Sequence, residues 1–159
     1  MRLLLDTNIL IPLEDSNLPL ENSMAHVVQL AHANGHELVY HPATEAEIQR
    51  DSNVARRQQT LKRLRQYSCL EKSTTPCPWN TEDTKPHDRE DNEILYALKC
   101  DAAHILITED KGIHDTAWDK GLGDRVFTIQ TMEDWLQRLH ERGVLTKERY
   151  HILNVSVHM

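Results

Sequence analysis

The stretch LLLDTNIL, residues 3–10, decides how this chain is interpreted. Three consecutive leucines are typical of a strand that is buried on both faces, as the strands of a parallel sheet are. The run ends on the carboxylate of Asp6, and burying a carboxylate at the end of such a strand costs free energy unless the group has a partner. Asp6 therefore either caps the turn that follows or lies there to meet a cation.

Three further apolar runs predict strands, and helical patterns lie between them. The predicted strands are residues 3–5, 37–40, 104–108 and 125–129. Apolar residues at helical spacing predict helices at 20–34, at 43–66 with a break near 51–53, at 89–100, and from Thr131, which has capping-box spacing to Asp134. Strands that alternate with helices predict a layered α/β domain around a parallel sheet.

The composition favours one soluble, cytoplasmic domain. The chain has 159 residues and a net charge of −7, which argues against a protein that coats nucleic acid by bulk electrostatics. Cys69, Cys77 and Cys100 are spaced neither as a disulfide framework nor as a zinc ribbon, and the ten histidines lack the tight spacing of metal ligands. Asp6 cuts the first apolar run too early for a signal peptide, and no stretch approaches the length of a membrane span.

Two segments stand apart from the alternating pattern. Residues 71–87 contain three prolines and many polar residues, which predicts a surface loop. In the last nine residues, HILNVSVHM, Leu153, Val155 and Val157 alternate with polar neighbours. This alternation predicts a half-buried or unpaired strand, or the start of a truncated further segment.

Acidic residues gather where the predicted strands end or where the next helices begin. In an open parallel sheet, ligands bind outside the carboxyl ends of the strands, so these acids are expected at one edge. They are Asp6 after the first strand, Glu45 and Glu47 in the helix after the second, Asp88 and Asp91 in the first turn of the helix at 89–100, and Asp110 after the strand at 104–108.

Carboxylates that lie so close would raise one another's pKa unless a cation lay among them. Hard oxygen ligands suit Mg²⁺ or Mn²⁺, and the matching chemistry is metal-assisted phosphoryl transfer to water. Helix capping is the alternative explanation, and it accounts well for Glu45, Asp88 and Asp115. It accounts less well for Asp6 and Asp110, because they follow apolar strands directly.

Four short motifs contain these acids. The first is Asp6-Thr7-Asn8 in LLLDTNIL, and the second is TEAEI, in which Thr44 precedes Glu47 by three positions. The third is Asp91 in DNEILYAL, and the fourth is LITED, which contains Thr108 and Asp110. On these motifs the chain resembles the PIN-domain family, the nuclease domains of many bacterial toxins and RNA-processing enzymes, from residue 1 to about residue 142.

The resemblance implies a fold, a metal site and an activity. The fold is a three-layer α/β/α sandwich with a mainly parallel central sheet, over residues 1–142, with 143–159 as a C-terminal tail. The implied activity is that of a metal-dependent endoribonuclease that hydrolyses the phosphodiester bonds of single-stranded RNA. The residues implied are Asp6, Glu47, Asp91 and Asp110 as catalytic ligands of Mg²⁺ or Mn²⁺, Asp88 as a further candidate ligand, and Asn8 and Thr108 as residues that orient ligands or water.

Partners follow from the same resemblance. Some relatives are toxins paired with an antitoxin, and others are joined to a further domain. Homodimers are frequent in the family, although no residue of this chain argues for one.

The helix at 43–66 carries a cluster of basic residues. Candidates for contact with an RNA backbone are Arg50, Arg56, Arg57 and Lys62. The favoured alternative is a solvated face of an amphipathic helix. Trp79 could stack on a base, but a tryptophan in a loop more often packs against its own loop.

Two other functions compete with the nuclease. One is a non-catalytic PIN-fold module that binds RNA or protein, which the loss of one acid would favour, and all four acids are present. The other is a phosphatase of the haloacid dehalogenase type, which needs a second aspartate two positions after the first. Asn8 occupies that position, so this function ranks last.

Overall fold

Five parallel strands form one sheet at the centre of the fold. The computed structural model describes the backbone of residues 1–11 and 18–157 and the side chains of residues 1–11 and 20–143. The strand order is β3-β2-β1-β4-β5, and every neighbouring pair is parallel. The strands are β1 (Arg2–Leu5), β2 (Glu37–Tyr40), β3 (Ser68–Cys69), β4 (Ile105–Ile107) and β5 (Val126–Phe127).

Seven helices are described, together with a 3-10 turn at Gly123–Arg125. They are α1 (Thr7–Leu10), α2 (Leu18–Ala33), α3 (Pro42–Gln49), α4 (Val54–Leu64), α5 (Pro86–Lys99), α6 (Lys111–Asp119) and α7 (Ile129–Val157). No helix in the described part of the chain is long and apolar enough to cross a membrane.

The leucines of β1 divide the core into two layers. Leu3 and Leu5 pack on one face of the sheet with residues of α2 and α7, and Leu4 packs on the other face with α5 and α6. All three leucines are fully buried, and complete burial of a leucine side chain contributes about 1.5–3 kcal/mol. The predicted three-layer α/β/α sandwich is therefore confirmed.

Strands are added to the sheet on both sides of β1. From β1 the sheet extends to β2 and β3 on one side, and to β4 and β5 on the other. In such a fold the loops that follow β1 and β4 diverge to opposite faces and leave a crevice at the carboxyl ends of these strands. Asp6 and Asp110 lie in those two connections.

The four predicted strands and the predicted helices are present, with shifted boundaries. The predicted break in the helix at 43–66 is confirmed, because Asn53 begins α4 as its N-cap and its Oδ1 accepts a hydrogen bond from Arg56 N at 3.0 Å. Gly35 ends α2 as expected, with a φ of 71° that favours glycine. The pattern did not predict α1, β3 or α6, which are short elements or lack a long apolar run.

The predicted starts of two helices are wrong. Helix α5 begins at Pro86 rather than at residue 89, so Asp91 lies in its second turn and only Asp88 in the first. Helix α7 begins at Ile129, and its start is stabilised by an exchange between Thr128 and Thr131, each backbone N–H donating to the other residue's hydroxyl at 2.9 and 3.2 Å. The predicted capping box of Thr131 with Asp134 is therefore not the one that forms.

The predicted strand in the last nine residues is also wrong over 151–157, where the backbone continues α7. Once a helix is nucleated, each added residue gains one hydrogen bond, whereas an isolated strand here would have no neighbour. The predicted boundary between residues 142 and 143 falls inside this helix. Residues 158–159 and the side chains beyond 143 lie outside the described ones.

Candidate metal centre

Asp6 lies where β1 ends and α1 begins. Its backbone N–H donates to Ile107 O at 3.0 Å and so extends the pairing of β1 with β4 by one residue. Its Oδ1 accepts from Thr7 N at 2.8 Å, which makes Asp6 the N-cap of α1. The residue is only 5% exposed, so its carboxylate is held at the base of the crevice.

The second oxygen of Asp6 is held by Thr108 and Asn8. Thr108 is fully buried, and its hydroxyl donates to Asp6 Oδ2 at 2.7 Å. Asn8 Nδ2 donates to the same oxygen at 3.2 Å and to Thr108 Oγ1 at 3.1 Å. The Thr108 hydroxyl also accepts from Asp110 N at 3.1 Å, so it links the first and fourth motifs of the sequence.

Glu47 approaches the same crevice from α3. Thr7 donates its hydroxyl proton to Glu47 Oε2 at 2.7 Å, and the fully buried Thr44 hydroxyl lies 3.3 Å from that of Thr7. Glu45 is exposed in the first turn of the same helix. The two glutamates of α3 therefore differ, because Glu47 contacts Thr7 in the turn that follows β1, whereas Glu45 is exposed.

Asp110 and Asp91 complete the set of predicted acids. Asp110 is the N-cap of α6, and its Oδ1 accepts from Gly112 N at 2.8 Å and from Ile113 N at 3.4 Å. Asp91 projects from α5, one helical turn after His87, whose Nε2 lies 3.4 Å from Asp91 Oδ2. One potential ligand atom from each of His87, Asp91 and Asp110 lies within 4.8 Å of the other two.

The electrostatics of the site reflect the crowding of these carboxyl groups. Burial and, to a smaller extent, the charges of Asp6, Asp110 and Glu47 together raise the pKa of Asp91 to about 7, against the lowering effect of His87. Burial also raises the pKa of Asp6, and the charges of Glu47 and Asp110 add to this rise. The hydrogen bonds that Asp6 accepts, chiefly the one from Thr108, lower the pKa but do not cancel the rise. The charges of Glu47 and Asp110 therefore lie close enough to disfavour the ionised forms of both Asp6 and Asp91.

Asp88 and the predicted basic residues are placed differently. Asp88 is exposed in the first turn of α5 and is not among the three residues whose ligand atoms converge. Arg50 forms an ion pair with Glu90. Arg56 donates twice to the Asp51 carboxylate, from Nε at 2.6 Å and from Nη2 at 2.7 Å, and Arg57 donates to the Asp51 carbonyl at 3.1 Å. Lys62 is exposed.

The proline-rich loop is anchored against α5. Trp79 packs edge-to-face on Tyr96, with ring centroids 5.3 Å apart, and Lys120 Nζ lies 4.1 Å above the Trp79 ring. Asn80 exchanges further hydrogen bonds with α5, because it donates to Arg89 O and accepts from Asn92 Nδ2. Trp79 therefore holds its own loop, which was the alternative that the sequence left open.

A small cavity adjoins the acids on the side of α2. Its volume is ≈ 250 Å³, and Asn8 and Glu109 border it next to the acidic residues. Ile9 and Met24 line its apolar part, and Arg63 lies on its wall. Asn8, which hydrogen-bonds to Asp6, therefore connects the cavity with the acidic site, although none of the four acids lines the cavity.

His87 is the residue of this site that the sequence pattern missed. The predicted helix began at residue 89, which left His87 in the loop and hid its spacing to Asp91. Pro86 is the signal that could have found it, because proline is common at the first position of a helix. A start at Pro86 places His87 and Asp91 on one face, four residues apart.

Comparison of the chain with protein-family models, with curated proteins and with solved structures finds no match in any of the three.

Proposed function

We propose that this protein is a metal-dependent endoribonuclease that hydrolyses phosphodiester bonds of single-stranded RNA. The observation that carries the proposal is that Asp91 and Asp110, from two separate elements, bring ligand atoms within 4.8 Å of each other, and that Asp6 and Glu47, from two further elements, lie near enough for their charges to act on Asp91. Asp91 and Asp6 both have raised pKa values there. Helix caps and hydrogen bonds explain these acids one at a time, but they do not explain why four of them share one crevice, which a bound cation would.

The donor set fits a divalent cation. Ligand atoms of Asp91 and Asp110 already lie within 4.8 Å of each other. The Asp6 carboxylate is fixed from behind by Thr108 and Asn8, as ligating carboxylates usually are. Mg²⁺ and Mn²⁺ accept such oxygen ligands, and they keep coordination positions open for water and phosphate oxygens.

The chain's own residues have distinct roles in this proposal. Asp91 and Asp110 would hold the cation, which would activate water and stabilise the charge of the attacked phosphate. Asp6 is buried, Glu47 is half-buried, and both add negative charge that would retain the cation. Asn8 and Thr108 orient Asp6, and the cavity beside Asn8 gives room for a part of the substrate next to the scissile bond.

The choice of RNA as substrate rests on the resemblance of the four motifs to PIN domains. The same resemblance supports a toxin of a toxin–antitoxin pair as one form of this function. The basic residues of α4 add little support, since Arg56 and Arg57 already have partners within the chain.

The test is cleavage of labelled single-stranded RNA and DNA in Mn²⁺, Mg²⁺ or EDTA. The wild type is compared with Asp6→Asn and with Asp119→Asn, a control at the exposed far end of α6. We expect cleavage of RNA that requires both a metal and Asp6 and that Asp119→Asn leaves unchanged. Circular dichroism of each variant shows whether it is folded.

Two results would contradict the nuclease. Folded Asp6→Asn that cuts RNA as fast as the wild type would remove Asp6 from the site. Wild type that binds RNA but cleaves it under none of these conditions would favour the non-catalytic binding module.

A further inference from the structure

We infer that His87 is a nitrogen ligand of the proposed metal site and that it makes the site prefer a first-row transition ion, such as Mn²⁺ or Ni²⁺, over Mg²⁺. The inference rests on the proposed function for the existence of the site. It adds a ligand that none of the four sequence motifs contains. It also distinguishes Mg²⁺ from Mn²⁺, both of which carboxylate ligands accept.

The distances of the three groups match those of ligands around one ion. Ligands about 2.1 Å from an ion lie about 3.0 Å apart in adjacent octahedral positions and about 4.2 Å apart in opposite ones. His87 Nε2 lies 3.4 Å from Asp91 Oδ2, and the chosen ligand atoms of His87, Asp91 and Asp110 all lie within 4.8 Å of one another. Small side-chain rotations therefore suffice to bring all three onto one ion.

The two elements that carry these ligands are held in place independently of any ion. His87 and Asp91 are four residues apart on α5, whose buried face includes Ile94 and Leu95. Asp110 is fixed as the N-cap of α6 through its Oδ1. Because the backbones of both helix ends are already ordered, only the ligand side chains lose conformational entropy when the ion binds.

His87 lies at the outer side of the site. Its side chain is 66% exposed and that of Asp91 is 21% exposed, whereas Asp6 is buried. An exposed imidazole can bind an ion without a large desolvation cost. It also lies where incoming solvent and substrate would meet the ion.

The imidazole changes which ion the site favours. Mg²⁺ demands oxygen ligands and sheds its water reluctantly, whereas imidazole suits first-row transition ions. Affinity at a mixed nitrogen and oxygen site rises from Mn²⁺ to Ni²⁺ in the usual order of these ions. The wild type should therefore bind Ni²⁺ more tightly than Mn²⁺, and Mn²⁺ more tightly than Mg²⁺.

A surface ion pair between His87 and Asp91 is the competing explanation of their contact. Such a pair stabilises the helix without any metal and only while His87 is protonated. A ligand instead stabilises the fold only when the ion is present, through preferential binding to the folded state. The two explanations therefore differ in the metal-free protein.

The experiment is calorimetric titration of the metal-free protein with Ni²⁺, Mn²⁺ and Mg²⁺ at pH 7.5, together with thermal unfolding in EDTA. The variants are His87→Ala, His87→Asp, and His32→Gln as a control at an exposed histidine near the end of α2. We expect His87→Ala to weaken Ni²⁺ and Mn²⁺ binding about tenfold or more while Mg²⁺ binding changes little. His87→Asp, which restores an oxygen ligand, should shift the preference towards Mg²⁺, and His32→Gln should behave as the wild type.

The outcomes separate this inference from the proposed function. If His87→Ala binds all three ions as the wild type does, His87 is not a ligand, and the nuclease proposal is untouched. If His87→Ala lowers the melting temperature equally with and without metal, the contact with Asp91 is structural and the inference fails. If the wild type binds none of the ions, both the ligand and the metal site are refuted.

Discussion

Asp6 uses its two carboxylate oxygens differently. Oδ1 caps α1 through Thr7 N, and Oδ2 accepts from Thr108 and Asn8. The sequence posed capping and cation binding as alternatives, and the structure shows that capping occupies one lone pair of one oxygen. The cap leaves the other oxygen to be positioned by Asn8 of α1 and by Thr108, which follows β4.

Thr108→Val tests how far the site depends on one buried hydroxyl. Valine keeps the shape of threonine but removes a donor to Asp6 and an acceptor for Asn8 and Asp110 N. Leaving such buried groups unsatisfied should lower the free energy of unfolding by about 1–3 kcal/mol. Chemical denaturation in EDTA measures this loss, and an unchanged midpoint would mean that the network has little structural weight. Thr116→Val, in the exposed part of α6, is the matched control.

At the scale of the element, α3 begins with an unusual cap. His41 Nδ1 accepts from Ala43 N at 3.0 Å, which requires a neutral imidazole at that atom. Burial lowers the pKa of His41 to about 4. Histidine is not among the residues that usually cap helices, so the sequence pattern did not predict this cap.

His41→Asn should make stability less sensitive to acid. The folded pKa of His41 lies below the usual 6.5, so its contribution is present above pH 6.5 and is lost as the pH falls towards 4. Asparagine can keep the cap but cannot be protonated in this range. We expect the variant to lose less stability than the wild type between pH 6.5 and 4, as measured by denaturation at each pH. A parallel loss in both proteins would show that folding does not lower the pKa of His41.

His41→Ala separates capping from titration. Removing the cap should cost about 1 kcal/mol at pH 7.5, where the imidazole is neutral in both states. His41→Asn should retain most of that amount.

The basic helix α4 supports a prediction about charge rather than about fold. Arg56 already donates to Asp51, whereas the side chain of Lys62 is exposed. If α4 meets RNA, Lys62→Gln should lower the salt dependence of binding by about 0.7 in the logarithmic slope. Arg56→Gln should change that slope less. Filter binding of a single-stranded oligoribonucleotide to Asp6→Asn, which is not expected to cleave it, measures both, and equal slopes in all proteins would exclude α4 from the interface.

At the scale of the whole molecule, the fold holds like charges together. Asp91 has a pKa of about 7 because burial and three acids from other elements all disfavour its ionised form. The ordinary value of 3.8 applies when the chain is unfolded. The folded state therefore holds a proton between about pH 4 and 7 that the unfolded state has lost, so this group makes the metal-free protein less stable as the pH rises through that range.

Asp91→Asn should remove this penalty. We expect the metal-free variant to exceed the wild type in free energy of unfolding by on the order of 2 kcal/mol at pH 8, and by little at pH 4.5. Denaturation in EDTA across this range measures the difference, and Asp119→Asn serves as the exposed control. A difference that does not depend on pH would show that Asp91 ionises normally. Metal should reverse the order at pH 8, because the variant lacks a ligand.

Local sequence determined the elements and the acids. Consecutive leucines predicted β1, alternating strands and helices predicted the layered parallel sheet, and the position of acids after strands pointed to Asp6 and Asp110. These features depend on hydrophobic periodicity and on neighbours along the chain, which a sequence displays directly. The same locality explains the errors, since the starts of α5 and α7 depend on Pro86 and on a threonine pair rather than on apolar spacing.

Only the tertiary structure decided which side chains meet. The hydroxyl of Thr108 reaches Asp6 across 102 residues of chain because β1 and β4 are neighbours in the sheet. Glu47 rather than Glu45 contacts Thr7, Arg56 is engaged by Asp51, and His87 joins Asp91 and Asp110. These contacts depend on strand order and on helix rotation, and such long-range geometry is set by the packing of the whole core, which no local pattern encodes.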